Sequence, residues 1–292
     1  MSAWALAART TANSISMPMH SVAVGGQQES QHNALRFFRN HIGATYAGSV
    51  HNELQVSGET AYAPVRMFHY GYNLSREKMA AKFHRTVGLL REGLQKDPEN
   101  PRWAHYLAVS YHTEHLIPET LDMTERVFAL CRSPEAKRQW ITSYYLAAAC
   151  RLELRQFEAA KGLIEEGLGV DPECIDLWAI WTSVAFLTEA WDDLERACER
   201  YLTLIAAFRK DPALVGTTPV HTLHHAPFVH LRLAMAARQK HDLATYEREL
   251  EHALRASHDR VEVLLSTAQF LLRKGERSEE HTSELQSHHD LV

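Results

Sequence analysis

From Ser75 onward, apolar residues recur every three to four positions. Ala81, Phe83, Val87, Leu89, Leu90 and Leu94 fall on one side of a helix that runs from Ser75 to about Gln95 and is stopped by Asp97-Pro98. Beyond it helix follows helix, and the stops recur. Pro98, Pro134, Pro172 and Pro212 are separated by 36, 38 and 40 residues, three of them as Asp-Pro. Each interval has room for two amphipathic helices. Before Ser75 the period is nearer two. In Asn13 to Val24, Ile15, Met17 and Met19 alternate with smaller or polar neighbours, which predicts a strand, and Pro18 demotes it to an edge or bulged one. Gly25-Gly26 and the polar run QQESQHN read as a loop. Leu35–Arg39, Val50–Val56 and Val65–Tyr70 are further strand candidates, with a turn at Ser57-Gly58. Four short strands without long helices between them do not make a complete α/β domain. They look like the end of one.

A helix pair repeated at somewhat more than every ~34 residues marks a tetratricopeptide-like solenoid. Leu107-Ala108 followed by Tyr111 fits a first repeat helix. Leu146-Ala147, then Ala159 and Leu163 with Pro172 beyond, forms the best single unit, and Ala253-Leu254 fits the end of a later second helix. Between Asp176 and Arg209 the match is poor, although Trp178, Trp181 and Trp191 supply bulky anchors. The stretch Pro219–His230 carries histidines at 221, 224, 225 and 230 but no carboxylate or cysteine at fixed helical spacing. It reads as a loop whose histidines cap the next helix, in preference to a metal site.

Composition narrows the function classes. A formal net charge of -5 argues against a nucleic-acid surface, which needs a clustered basic field. No run approaches ~18 apolar residues, so no transmembrane segment is expected, and the N-terminus lacks the pattern of a secretory signal. Cys131, Cys150, Cys174 and Cys198 match no zinc or disulfide spacing and read as buried thiols in a reducing cytoplasm. The last stretch, RSEEHTSELQS from Arg277 to Ser287, is what a common sequencing-library adapter encodes in one frame, and Asp290-Leu291-Val292 fits its continuation. Residues 277–292 are therefore expected to be a non-native, disordered tail. Without them the chain holds 30 basic and 32 acidic residues.

The polar residues that look placed for chemistry lie between Arg36 and Tyr72. Arg36-Phe37-Phe38-Arg39-Asn40 comes first, then Tyr46-Ala47-Gly48-Ser49-Val50-His51, then Phe68-His69-Tyr70-Gly71-Tyr72, and finally a helix with Lys78, Lys82 and Arg85. In this order the motifs resemble the end of the catalytic domain of bacterial family 2 glycosyltransferases that carry tetratricopeptide repeats. One departure concerns a glutamate that the family places directly after the histidine. Here the order is His51-Asn52-Glu53, and an extended strand puts Glu53 on the same face as His51.

The resemblance implies transfer of a sugar from a nucleotide-sugar donor to a glycan or protein acceptor hydroxyl, assisted by a divalent cation (Mg or Mn) in the intact parent. His69 matches the family's metal-binding histidine. His51 and Glu53 would work on the acceptor side as the catalytic pair. Arg36, Arg39, Tyr72 and Lys78 would bind substrate, the arginines meeting diphosphate oxygens. The plainer alternatives are arginines holding surface carboxylates, histidines satisfied in a core, and Glu53 on an exposed loop.

The resemblance also implies a donor half, a βαβ nucleotide-binding unit with an Asp-x-Asp, and neither precedes Arg36. The expectation is a mainly α protein in which a small β-containing remnant of a GT-A glycosyltransferase domain (residues 1–74) precedes tetratricopeptide-like repeats (75–276) and the tail (277–292). The chain alone should be silent and bind no cofactor. A non-enzymatic repeat scaffold for protein partners is the alternative. The two differ in where polar residues gather: an open cleft at a sheet edge for the enzyme, a groove along the helices for the scaffold.

Overall fold

The computed structural model describes residues 6–22, 28–47, 50, 53–71, 74–215, 218–257 and 260–273. The adapter-like tail lies outside them. The chain forms two compact units, Met1–His224 and His225–Val292.

The first unit opens with six strands: β1 (Ser14–Val22), β2 (Gln28–Phe38), β3 (Thr45–Ala47), β4 (Glu53–Gln55), β5 (Thr60–Tyr62) and β6 (Met67–His69). β3 and β4 form their own antiparallel ladder. In the larger sheet β1 is central, antiparallel to β2 and parallel to both β5 and β6 on its other side. Pro18 is thus not on an edge. β5 pairs with Ser14–Ser16 and β6 with Met19–Ser21, so Pro18 faces the gap between two short strands. Its missing N–H points that way, because the Ser16 carbonyl two residues earlier already accepts from Ala63 on that side. The ladder between β1 and β2 does shift register near both of its ends. Ile15, Met17 and Ala63 form the sheet's small core, packed by Leu6, Phe37, Val65 and Met67.

The polar run expected as a loop is the first half of β2. It is a strand because its main chain pairs with β1 on one side and with Val220 on the other. Gln31 and Asn33 are buried. The Gln31 N–H donates to the Val220 carbonyl at 3.1 Å, the Val220 N–H returns to the Gln31 carbonyl at 2.8 Å, and Asn33 Nδ2 donates to the Pro212 carbonyl at 2.9 Å.

After the strands come α1 (Arg76–Lys96), α2 (Pro101–Thr113), α3 (Ile117–Leu130), the short α4 (Pro134–Gln139), α5 (Thr142–Glu153), α6 (Phe157–Val170), α7 (Ile175–Leu187) and α8 (Trp191–Lys210). The second unit holds α9 (Ala226–Gln239), α10 (Leu243–Ala256) and α11 (Arg260–Arg273). Ser75, Asn100, Ser133 and Asp242 each accept a first-turn N–H, and Pro101 and Pro134 open helices where a missing N–H costs nothing. α2 packs on α3, α5 on α6, α7 on α8, and α9 on α10. All four hairpins turn through three residues, with the middle one left-handed: His115, Arg155, Glu189 and His241, at φ 55–60°. None is glycine, so the sequence carried no sign of them. The thiols of Cys131, Cys150 and Cys198 are buried, and no cysteine forms a disulfide.

One carboxylate holds the loop after α8. Asp176, buried in the first turn of α7, accepts from the His221 N–H at 3.0 Å, the Thr222 N–H at 2.9 Å and Thr222 Oγ1 at 2.7 Å, while the Tyr201 hydroxyl donates to the Thr222 carbonyl. Asp176→Ala would strand two N–H groups in the interior and is expected to cost about 3–5 kcal/mol. Asp176→Asn, which keeps one acceptor oxygen, should cost less. Urea denaturation of both variants checks the ranking, and equal stabilities would contradict it.

A second expectation concerns acid. His32, half-buried in β2, has its pKa lowered to about 4, first by burial and then by Arg36, His221 and His69. The unfolded imidazole takes a proton near pH 6.5 while the folded one resists. Its contribution is therefore complete above pH 6.5 and is lost as the pH falls toward 4, by about 3 kcal/mol. Comparing urea midpoints at pH 7 and 4.5 should show a smaller acid loss in His32→Gln than in the wild type.

Candidate functional site

Within the Arg36–Tyr72 stretch, Arg36 and His69 lie within electrostatic reach of each other and of Lys82, near where β6 stops and α1 begins. The His69 ring folds over Gly71 so closely that a Cβ there would meet Nε2 and push the ring aside. Lys82, one turn and a half into α1, donates from Nζ to the Gly71 carbonyl at 3.0 Å. Arg36, on β2, lies exposed, with Nη1 on the Leu35 carbonyl at 3.1 Å and Nη2 3.7 Å from Met19 Sδ. Burial lowers the pKa of His69, and Lys82 and Arg36 lower it further, so its imidazole is neutral near pH 7. Burial lowers Lys82 as well, with help from Arg85. His32 senses Arg36, His221 and His69 in turn. The His221 ring stacks on Tyr145 at 5.8 Å, and Tyr145 meets His112 at 6.3 Å. Phe68 and Tyr70 flank His69 and are exposed.

Two fixed cations and a neutral imidazole N–H donor suit an anion such as a phosphate. They do not suit a cation. Among the described residues, three metal-capable side chains gather at His230, Glu249 and His252 in the second unit, not at His69. The surroundings of His69 therefore do not fit the divalent ion that the resemblance implies.

The other predicted residues fare differently. Arg39 is turned away from this rim: its Nε donates to the Ala12 carbonyl at 3.1 Å and its Nη2 to the Thr10 carbonyl at 2.5 Å, so it ties down the segment before β1. Lys78 is exposed in the first turn of α1, where its backbone N–H meets Ser75 Oγ. Glu53 begins β4 opposite Ala47, in the separate two-stranded ladder. His51 and Tyr72 lie outside the described residues. The structure thus brings together Arg36 and His69, with Lys82, His32 and His221 added. Lys82 was legible from its motif. His32 and His221 were not, because only the β2 edge meeting the loop after α8 makes them neighbours.

No family model matches the chain. It is similar to "SPbeta prophage-derived glycosyltransferase SunS" of Bacillus subtilis (strain 168), 22% identical over 146 residues that cover 49% of this chain and 35% of that protein. "Glycosyltransferase SunS" of Bacillus phage SPbeta matches to the same extent. The matched region spans about a third of the length of these curated relatives. Among solved structures it is similar to the APC/C hetero-tetramer Cut9-Hcn1, with TM-score 0.50 and 14% identity over 68% of this chain and 34% of that one. TTC0263, a TPR protein of Thermus thermophilus, follows with TM-score 0.44 and 16% identity over 68% and 94%. At 14% identity the likeness to Cut9-Hcn1 speaks to the fold alone: a mainly α, tetratricopeptide-like helical repeat preceded by a small sheet.

Proposed function

We propose that this chain is part of a glycosyltransferase, in which the sheet rim meets the diphosphate of a nucleotide-sugar and the helical repeats hold the acceptor or a protein partner. The observation that carries the reading is the gathering of Arg36, His69 and Lys82 at the rim, in a chain similar over half its length to two glycosyltransferases. Sugar transfer leaves a nucleoside diphosphate whose charge grows as the bond breaks. A guanidinium fork, an ammonium and an imidazole N–H placed beforehand stabilise that charge without reorganisation. His51 and Glu53 are assigned to the acceptor side, where a base takes the hydroxyl proton. Lys78 and Tyr72 are given supporting roles in binding, while Arg39 is held on the carbonyls before β1. We place the protein in the cytoplasm, in keeping with four free cysteines. Among the described residues no helix is long and apolar enough to cross a membrane.

A protein-binding scaffold is the second reading, favoured by the three helix hairpins of the first unit, which pack on one another as stacked repeat pairs do.

The test expresses the full genomic reading frame and follows release of nucleoside diphosphate from a panel of nucleotide-sugars. Turnover is expected from the full frame and none from the 292-residue chain. Lys82→Ala and Arg36→Ala should each slow the full enzyme about 10- to 100-fold, the worth of one charged hydrogen bond in the transition state. Wild-type rates in both variants would remove the rim from the mechanism. A full frame that consumes no nucleotide-sugar would leave the scaffold reading standing.

A further inference from the structure

The second unit gathers a set of side chains that the glycosyltransferase reading does not use. His230 lies on α9, and Glu249 and His252 lie three residues apart on one face of α10. Glu249 Oε2 sits between two ring nitrogens, 2.8 Å from His230 Nδ1 and 3.7 Å from His252 Nδ1, and the three donor atoms all lie within 4.8 Å of one another. The two imidazoles meet edge to face, their centroids 5.2 Å apart.

We propose that His230, Glu249 and His252 form a binding site for a divalent transition-metal ion of the zinc type, which clamps α9 to α10. Metal–ligand bonds of about 2.0–2.2 Å set tetrahedral donors about 3.4 Å apart. The two measured separations, 2.8 and 3.7 Å, bracket that value, so small side-chain adjustments admit an ion. Two imidazoles and one carboxylate select zinc, nickel or copper over magnesium or calcium, which prefer all-oxygen shells. Glu249 is held in place by both neighbours, His230 on one oxygen and Arg248 on the other. Arg248 Nε engages the other oxygen, Oε1, at 3.1 Å. It orients the carboxylate and leaves Oε2 for the ion, as an outer-shell partner does.

The site is graded in exposure. The side chains of Glu249 and His230 are 11% and 20% exposed, and that of His252 is 44% exposed. The inner pair is thus held in place and the third ligand faces solvent, the route by which an ion enters and a water completes the shell. Binding would replace the His230–Glu249 hydrogen bond with two metal–ligand bonds, the ring proton of His230 residing on Nε2.

The test uses the full chain, stripped with EDTA and dialysed free of chelator. The chain has 19 histidines, so total zinc uptake alone does not decide the matter. Isothermal titration with zinc chloride should show one equivalent of tight binding that disappears in His252→Ala. Because His252 is half exposed, that variant should fold, which circular dichroism checks. Zinc should also raise the melting temperature of the wild type by several degrees and leave His252→Ala and His230→Gln unmoved, and magnesium should do nothing to any of them. Cobalt titration adds a spectroscopic reading, with d–d bands in the wild type that vanish in the variants. Equal zinc stoichiometry and affinity in the wild type and both variants would overturn the proposal. So would a wild-type melting temperature indifferent to zinc, which would leave the cluster as a simple ion pair.

Discussion

The Asp176 carboxylate is the constraint on which the first unit depends. It sits buried at the start of α7, where its oxygens are satisfied because three donors converge on it, two of them backbone N–H groups of the loop after α8. Fixing His221 and Thr222 also fixes Val220, and Val220 exchanges two hydrogen bonds with Gln31 at the free edge of β2. One carboxyl group thereby joins the repeat helices to the sheet. It also determines which residues face each other: His221 reaches the neighbourhood of His32 only because this loop is held against β2.

The same joint accounts for the character of the sheet rim. His32 and His69 lie near Arg36, and His69 also near Lys82, and both imidazoles lose their protons more readily than free histidine. A rim that sets Arg36 and Lys82 beside imidazoles whose protons leave readily offers hydrogen-bond donors to an incoming anion. Arg39 lies three residues from Arg36 in sequence yet is spent on carbonyls of the segment before β1. Alternation along a strand separates neighbours in a motif into different tasks.

The repeat was legible because it is a matter of period. The helix from Ser75, the Asp-Pro stops and the apolar faces all follow from local spacing, and the helices appear where that spacing puts them. The sheet was half legible. Ile15, Met17 and Met19 announced β1, but QQESQHN looked like a loop because Gln31 and Asn33 find their partners near Val220 and Pro212, nearly two hundred residues away. His230 looked unpartnered for the same reason: its carboxylate, Glu249, comes from the following helix, at a separation no helical spacing rule inspects. Lys82 stood in its motif, whereas Asp176 carried no signal at all, being one acidic residue in the first turn of a helix like many others.

The four hairpin turns have a consequence for how such a chain can diverge. Each uses three residues with a left-handed centre, and histidine, arginine, glutamate and histidine occupy that centre without any common side chain. Adding or removing one residue there would rotate the second helix by about 100° relative to the first and carry its apolar stripe off the partner. The joints between hairpins are less strict, since one accommodates the extra helix α4 and another the 3₁₀ turn Pro212–Val215 and the loop that Asp176 holds. The length of each turn is therefore held more tightly than the identity of its side chains, and the joints between pairs have more room for inserted residues. A relative of this protein would be better recognised by counting residues between helices than by matching letters.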